Sequence, residues 1–205
     1  MDKVWYPSKL RVAADGTAST YKFMTEAFGA DAAIGYAEFG FYEGNTAKSV
    51  ATHFAGATLH LFDYDTVCSA VAPKMEPFGA RVRLYPNSQR YCDSYNWPLM
   101  KLIRENRGPI FDYCFLDGAH TFVIDALTFF LCDRLLKIGG YVDFDDYNWR
   151  LRGSSIDPSK VPVISEQYTD EQIDSFQVKM IVDGLVRPDP RYKEIVRNKI
   201  FQKLL

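Results

Sequence analysis

Residues 34–46 read IGYAEFGFYEGNT and combine a β-rich run, a glycine turn and the start of a helix. Gly40 and Gly44 lie four residues apart in the turn. Glycine permits a tight bend and a close approach of the backbone to a ligand. The spacing is not the G-x-G-x-x-G fingerprint of dinucleotide binding. The turn alone therefore leaves two interpretations open, a plain connection between strand and helix or a binding loop.

Outward from this turn, short β-rich runs alternate with helical segments. The predicted strands cover residues 34–39, 58–62, 81–85, 111–116 and 141–144. The predicted helices cover 45–54, 67–77 with an interruption at Pro73, 98–106 and 121–136, and Gly139-Gly140 is predicted to be a turn. This alternation indicates a doubly wound α/β fold, in which helices cover both faces of a mostly parallel sheet.

The two ends of the chain complete this picture. An N-terminal helical segment, 1–33, contains an amphipathic helix at 19–28, and an irregular insert, 148–166, precedes a predicted helix at 170–185. The last β-rich runs, 192–196 and 199–204, are separated only by Arg197 and Asn198 and are predicted to form an antiparallel hairpin. The hairpin brings the sheet to seven strands, and we expect residues 1–205 to form a single domain.

Composition narrows the class of partner. Lys and Arg number 24 against 26 Asp and Glu, so a formal charge of -2 offers no basic surface for nucleic acid or an anionic membrane. We expect a small-molecule partner. No apolar run approaches the roughly 20 residues of a membrane span, so the expected location is cytoplasmic. The cysteines form no C-x-x-C pair and indicate neither zinc nor redox chemistry: Cys68, Cys92, Cys114 and Cys132.

An acidic residue follows the second predicted strand at a position that suits nucleoside binding. Asp63 comes about 20 positions after the glycine turn, where a carboxylate can accept hydrogen bonds from both ribose hydroxyls of an adenosine. Asp65 is the nearby alternative. Ligands of open parallel sheets bind beyond the carboxyl ends of the strands, so residues at these ends are the candidates for function.

Four segments taken together resemble class I S-adenosylmethionine-dependent methyltransferases. They are EFGFYEG at 38–44, Asp63, FLDGAH at 115–120 and LLKIGGYVDFDD at 135–146. The resemblance covers residues 34–146 and, more loosely, the terminal hairpin. It implies a Rossmann-like methyltransferase fold in which the glycine turn holds the methionine part of the cofactor. Asp63 would hold the ribose, and Asn87, Ser88 and Gln89 would contact adenine. The implied cofactor-binding residues are Glu38, Gly40, Phe41, Tyr42, Gly44, Asn45, Thr46, Asp63, Tyr64, Ser88, Gln89 and Asp117.

Three carboxylates follow two neighbouring strands: Asp117, Asp145 and Asp146. Hard oxygen ligands at one sheet edge suit Mg²⁺ or Mn²⁺, which would lower the pKa of a bound hydroxyl and orient the acceptor. The placement resembles metal-dependent small-molecule O-methyltransferases of the catechol type and of the sugar- and antibiotic-modifying type. The alternative places Asp117 on the cofactor side and makes Asp146 a loop cap, without an ion.

The same resemblance bears on the base that deprotonates the acceptor. Several sugar-modifying relatives carry an Asp two residues after the first ligand, where this chain has Ala119. His120 is the nearest titratable group and is predicted to be catalytic together with Asp117. In the alternative, His120 caps the following helix or binds a backbone carbonyl. Tyr147, Asn148 and Trp149 directly follow the carboxylate pair and are candidate walls of the acceptor pocket.

The sequence therefore predicts methyl transfer from S-adenosylmethionine to an oxygen of a small molecule. The insert 148–166 and the N-terminal segment are expected to set the choice of acceptor. One alternative is a nicotinamide-dependent oxidoreductase, which the missing third glycine and Glu38 weaken. Another is a noncatalytic S-adenosylmethionine-binding domain. The assembly state, including a homodimer, stays open.

Overall fold

One sheet of seven strands runs through the computed structural model, which describes residues 16–106 and 108–205. The strands are β1 (Gly35–Phe39), β2 (Thr58–Tyr64), β3 (Val82–Asn87), β4 (Phe111–Leu116), β5 (Leu136–Phe144), β6 (Tyr192–Val196) and β7 (Ile200–Lys203). Their spatial order is β3-β2-β1-β4-β5-β7-β6. The first five strands pair in parallel, whereas β7 pairs antiparallel with both β5 and β6. The predicted doubly wound sheet with a C-terminal antiparallel hairpin is confirmed.

The helices of the described ranges connect these strands. They are α1 (Gly16–Ala27), α2 (Asn45–His53), α3 (Asp65–Met75), α4 (Asn96–Glu105), α5 (Phe122–Leu135), α6 (Ile164–Gln167), α7 (Asp170–Asp174) and α8 (Gln177–Ile181). A π turn, Val182–Val186, continues α8. None of the helices in the described part of the chain is long and apolar enough to cross a membrane. The part of the N-terminal segment before residue 16 lies outside the described residues.

Helices cover both faces of the sheet, which explains why β1 is buried along its whole length. On one face, Phe39, Phe129 and Phe144 belong to a core that also contains side chains of α4, α5 and α8. On the other face, Phe23 and Phe54 belong to a core built with α1, α2 and α3. The sheet is therefore rigid and buried, and its carboxyl edge is a fixed platform for the loops that follow the strands.

The insert has a small core of its own. Leu151 contributes to it from within the insert, Ile164 from α6 and Ile173 from α7, and Trp149 packs against this cluster. Asp157 folds the insert back on itself, because its carboxylate accepts the N–H groups of Gly153 and Ser159 at 2.6 and 2.8 Å. The segment predicted to be irregular thus forms a packed cap beside the carboxyl edge.

Three predictions about individual elements were wrong. β5 begins at Leu136, so the glycines predicted as a turn lie inside the strand, where Gly139 has a φ of +85°. α3 runs through Pro73, which lies in its last turn and costs the helix only one hydrogen bond. The predicted helix 170–185 is divided into α7, α8 and the π turn, because the chain is extended at Ser175, with φ -81° and ψ 146°.

Candidate active site

The loops after β1, β4 and β5 are joined side by side at the carboxyl edge of the sheet. The N–H of Asp117 donates to the carbonyl of Phe39 at 2.9 Å, and the N–H of Asp145 donates to the carbonyl of Leu116 at 3.0 Å. The strand order reverses between β1 and β4, and this switch point is where open α/β sheets bind ligands. The structure therefore brings the glycine turn and the carboxylates to one place.

Both glycines of the turn are required by the backbone. Gly40 has a φ of +81°, and a Cβ there would lie 2.4 Å from the carbonyl oxygen of Asp117 and from the Cα of Gly118. Gly44 has a φ of +72°, and its Cβ would lie 2.8 Å from a methyl group of Val71. Any other residue would push apart the loops after β1 and β4 or lift α2 from α3.

Asp63 braces the glycine turn. Its Oδ2 accepts the N–H groups of Phe41 and Tyr42 at 2.8 and 3.0 Å, and its Oδ1 accepts the N–H of Tyr64 at 2.7 Å. The N–H of Gly44 donates to the carbonyl of Phe41 at 2.6 Å. The predicted ribose ligand is thus at the turn, and these backbone N–H groups are bound within the protein.

The predicted adenine contacts follow β3. Asn87 is buried, and its Oδ1 has no hydrogen-bond partner within the described part of the chain. Ser88 donates through its N–H and its hydroxyl to Asp93 at 2.7 and 2.6 Å, whereas Gln89 is exposed. A buried acceptor without a donor fits the amino group of adenine. Asp93, which fixes Ser88, carried no sequence signal.

Glu38 is a buried carboxyl directly before the turn. It accepts the hydroxyl of Tyr36 at 3.0 Å. Burial raises the pKa of Glu38 to about 8, and the neighbouring Asp63 adds to this effect, whereas Tyr36 opposes it. A cation beside Glu38 would offset this effect and favour the ionised carboxylate.

The remaining predicted cofactor residues line the turn and the start of α2. Phe41 and Thr46 are buried, and Asn45 is exposed. Tyr42 and Tyr64 are 78% and 47% exposed, which leaves both rings free to contact a ligand. Tyr42 also has a φ of +43°, a left-handed conformation that non-glycine residues rarely adopt.

The three predicted metal ligands lie in adjacent loops. Asp145 lies close enough to Asp117 to raise its pKa, and Asp146 follows with a φ of +55°. Burial, then Asp145, raises the pKa of Asp117 to about 9, and Glu38 and Asp146 contribute further. The negative charge that these carboxyl groups would carry together is thus unfavourable without a compensating cation.

A buried ammonium group compensates part of this charge. The Nζ of Lys199 lies 3.0 Å from Oδ1 of Asp143 and 3.2 Å from Oδ1 of Asp145, and 5.1 Å from the ring centroid of Phe115. Burial alone would lower the pKa of Lys199, but Asp143 and Asp145 outweigh it and raise the pKa. Sequence reasoning missed Lys199, which the terminal hairpin brings to the site.

The metal prediction is not confirmed. The donors have the chemistry that Mg²⁺ prefers, since all three are carboxylates. Within 16–106 and 108–205, however, no group of three or more His, Cys, Asp or Glu side chains is arranged to hold an ion. Lys199 also pairs with one oxygen of Asp145. A metal at this edge therefore stays a prediction.

His120 faces the carboxylates. Its Nε2 lies 3.9 Å from Oδ1 of Asp117 and 3.6 Å from Oδ2 of Asp146, and its ring centroid is 5.1 Å from that of Trp149. Its φ of +53° is a left-handed conformation. Strained backbone of this kind persists where the surroundings enforce it, and it clusters at functional sites. Its position suits a base for an acceptor at this edge.

Of the residues that follow the carboxylates, only Trp149 reaches His120. Tyr147 donates its hydroxyl to Asp183 at 2.9 Å and so ties the loop to the π turn. Asn148 is exposed. Trp149, which joins the core of the insert, is thus the candidate wall beside the predicted base.

Comparison with known proteins bears on the fold. No protein-family model and no curated protein matches the chain. The O-methyltransferase TomG from Streptomyces achromogenes, involved in tomaymycin synthesis and solved with S-adenosylmethionine, is 15% identical with a TM-score of 0.61, covering 97% of this chain and 83% of that one. An O-methyltransferase from Bacillus cereus, solved with S-adenosylhomocysteine, is 14% identical with a TM-score of 0.57. The match covers 97% of this chain and 94% of that one. An rRNA methylase from Streptococcus thermophilus is 12% identical with a TM-score of 0.54. The match covers 95% of this chain and 100% of that one.

The sheet order and these neighbours define the fold. The chain has the fold of class I S-adenosylmethionine-dependent methyltransferases, as the four sequence segments predicted. The neighbours include both O-methyltransferases and an rRNA methylase, so the fold leaves the acceptor open.

Proposed function

We propose that this protein transfers a methyl group from S-adenosylmethionine to an oxygen of a small molecule. One observation carries the proposal: the glycine turn, braced by Asp63, lies against a carboxyl-rich edge that includes Glu38 and Asp117. S-adenosylmethionine is cationic at its sulfonium and its ammonium group. A site rich in carboxyl groups stabilises these charges, so the cofactor and the site are electrostatically complementary.

The same geometry argues against a nicotinamide cofactor. Its pyrophosphate needs free backbone N–H groups at the start of a helix. Here the N–H groups of Phe41, Tyr42 and Gly44 donate to acceptors of the protein itself. The neighbouring carboxyl groups would repel a pyrophosphate. These three N–H groups of the turn are therefore not offered to a pyrophosphate, which weakens the oxidoreductase alternative.

The reaction is a direct displacement. The acceptor oxygen would form a bond to the methyl carbon while the carbon–sulfur bond breaks. The electron pair of the broken bond would stay on sulfur, which gives S-adenosylhomocysteine. His120 takes the proton of the hydroxyl. Alignment of oxygen, methyl and sulfur would supply much of the rate. The carboxyl edge would contribute to binding of the cationic cofactor, because the positive charge on sulfur is lost as the methyl group leaves.

A small-molecule acceptor agrees with the charge of the chain. With a formal charge of -2 and an acidic edge beside His120, a phosphate backbone would be repelled. The test is methyl transfer from labelled S-adenosylmethionine to phenols, sugars, peptides and rRNA. Transfer to a small molecule supports the proposal, and transfer only to rRNA contradicts the acceptor class. Cofactor binding without any transfer would favour the noncatalytic alternative.

S-adenosylhomocysteine should bind and raise the melting temperature, because a ligand selective for the folded state stabilises it. Asp63→Ala should weaken binding about 10–100-fold, since charged hydrogen-bond partners are worth about 1.5–3 kcal/mol. Calorimetry measures the affinity. Asp65→Ala is the matched control, because Asp65 is exposed in the same segment and binds only the N–H of Thr66. A larger loss in Asp65→Ala would transfer the ribose role to Asp65, and binding of NAD alone would refute the methyltransferase proposal.

We also propose that Mg²⁺ or Mn²⁺ binds between Asp117, Asp145 and Asp146. The support is the crowding of carboxyl groups, because burial and mutual repulsion raise the pKa of Asp117 and Asp146 and a cation between them would offset both effects. A bound ion would supply Lewis-acid polarisation of the acceptor oxygen. The three side chains would hold the ion through carboxylate oxygens, and Lys199 would keep Asp145 in place.

Titration with Mn²⁺, followed by the electron paramagnetic resonance signal of the free ion, tests this site without an acceptor. We expect stoichiometric loss of the signal, and a loss of affinity of about tenfold or more in Asp145→Ala, comparable to other ligand-shell mutations. Asp31→Ala, at an exposed carboxylate outside the site, should bind like the parent. An unchanged signal, with turnover that survives exhaustive chelation, would leave the three carboxylates without this role.

A further inference from the structure

The loop that carries His120, residues 118–121, rests on the hydroxyl of Tyr95. This hydroxyl accepts the N–H of Ala119 at 3.1 Å. A Cβ at Gly118 would lie 2.9 Å from the same oxygen. Tyr95 belongs to the turn that precedes α4 and is buried. The hydroxyl of Tyr95 therefore supports the loop from the side of α4. It lies so close to position 118 that only glycine fits there.

The hydroxyl of Tyr95 is itself fixed by Asp125. It donates to Oδ1 of Asp125 at 2.6 Å, and Asp125 is 3% exposed. The backbone N–H groups of His120 and Thr121 face the same carboxylate and lower its pKa, against the larger effect of burial, which raises it. Asp125 lies in the first turn of α5, where the helix dipole also favours a negative charge. Tyr95 thus holds the N–H of Ala119, and the carboxylate of Asp125 faces the N–H groups of the next two residues.

This support explains how His120 keeps its conformation. A left-handed backbone conformation is unfavourable for a residue other than glycine, and it persists only where the surroundings fix it. We propose that Tyr95 and Asp125 are positioning residues that hold His120 towards Asp117 and Asp146. This inference rests on the proposed role of His120 as the base. Neither residue touches the reacting atoms. Both act through the backbone of the loop.

Tyr95→Phe tests the proposal, with the imidazole ¹⁵N signals of His120 as the readout. The chain has three histidines, so His120→Asn assigns the signals directly. We expect the His120 signals to shift or broaden in Tyr95→Phe while those of His53 and His60 stay in place. This readout needs no acceptor, so it succeeds or fails independently of the methyl-transfer assay.

The control is a second pair of the same kind on the same helix. Tyr192 donates its hydroxyl to Asp133 at 2.7 Å, and Tyr192 and Tyr95 are both 7% exposed. Asp133 lies at the end of α5 away from the site. Tyr192→Phe also removes a hydrogen bond from a buried tyrosine to a carboxylate, although Asp133 keeps Arg191 and Lys203 as partners, and it should leave the His120 signals unchanged. Equal changes in both variants would show a general loss of stability and overturn the proposal.

Once an acceptor is identified, turnover gives a second test. We expect Tyr95→Phe to lose about 10–100-fold in kcat, with the affinity for S-adenosylhomocysteine within about twofold of the parent. In a His120→Asn background the same substitution should cost little, since a double-mutant cycle reveals residues that act through one another. Additive losses would refute the positioning role. If Tyr95→Phe does not fold, Asp125→Asn keeps the hydroxyl of Tyr95 but removes the carboxylate that fixes it, and this variant serves in its place.

Discussion

Replacing His120 with asparagine should lower the rate of methyl transfer by about 10²–10⁴-fold, the range expected for a lost general base. His120 is the imidazole that faces Asp117 and Asp146, at 3.9 and 3.6 Å, and it lies beside Trp149. Asparagine is the better replacement because it tolerates the left-handed conformation at this position, whereas alanine would add backbone strain. The measurement is kcat with labelled cofactor and an identified acceptor.

Cofactor affinity separates a lost base from a damaged site. Binding of S-adenosylhomocysteine should change by less than about twofold, because His120 acts in the transition state and not in cofactor binding. His53→Asn is the control, since His53 lies at the end of α2 and its ring contacts Tyr21 and Phe54. Near-parental turnover of His120→Asn would remove His120 from the mechanism. A metal-activated hydroxyl would then be the simpler account.

The sequence was sufficient to predict most of the sheet. The runs at 34–39, 58–62 and 111–116 are apolar and β-rich, and they match β1, β2 and β4 within two residues. The exception was β5, whose first residues contain Gly139 and Gly140 and resemble a turn. A Cβ at Gly140 would lie 3.0 Å from the carbonyl of Asp112. A tertiary contact therefore decides this segment, and local preference cannot reveal it.

The site was predictable only as far as strand ends determine it. The carboxyl ends of parallel strands meet at one edge, which is why the sequence alone predicts that Gly40, Asp63 and Asp117 lie together. Their partners could not be predicted. Tyr95 meets Asp125 across 30 residues, and Lys199 meets Asp145 across 54. Neither pair has a motif, since only the packing of α4 on α5 and of β7 on β5 brings it together.

Lys199 joins the terminal hairpin to a buried carboxylate of β5. Asp143 is fully buried, and its Oδ2 accepts the hydroxyls of Thr20 and Tyr113 at 2.6 Å each. Its Oδ1 faces the ammonium of Lys199 at 3.0 Å. Burial has the largest effect on the pKa of Asp143 and raises it, against the opposing effects of Lys199 and the two hydroxyls. Among the residues that the structure describes, the ammonium is the only cationic group at this carboxylate.

Lys199→Met should therefore destabilise the fold by about 3–5 kcal/mol, the usual cost of leaving one partner of a buried ion pair. For a domain of this size the melting temperature would fall by roughly 6–20 °C. Chemical denaturation measures the free energy of unfolding. Adding Asp143→Asn removes the buried charge and keeps an oxygen for Tyr113 and Thr20, so the double variant should recover about half of the loss or more.

A second ion pair, at the other end of β5, provides the control. Lys137 lies 2.7 Å from Asp112, but its side chain is 42% exposed. Asp112 also keeps the N–H of Gly35 as a donor at 2.7 Å. Lys137→Met should cost no more than about 1 kcal/mol, as is typical of exposed pairs.

The pH dependence identifies the charge state of Asp143 in the variant. Without Lys199, burial would hold the folded-state pKa of Asp143 above its unfolded-state value. The folded state then binds the proton more tightly, so the stability of Lys199→Met should fall as pH rises between those two values. The deficit relative to the parent should be smallest in acid and largest at neutral pH. If Lys199→Met instead loses no more stability than Lys137→Met at neutral pH, Asp143 is a neutral acid in the parent fold, and Lys199 serves Asp145 alone.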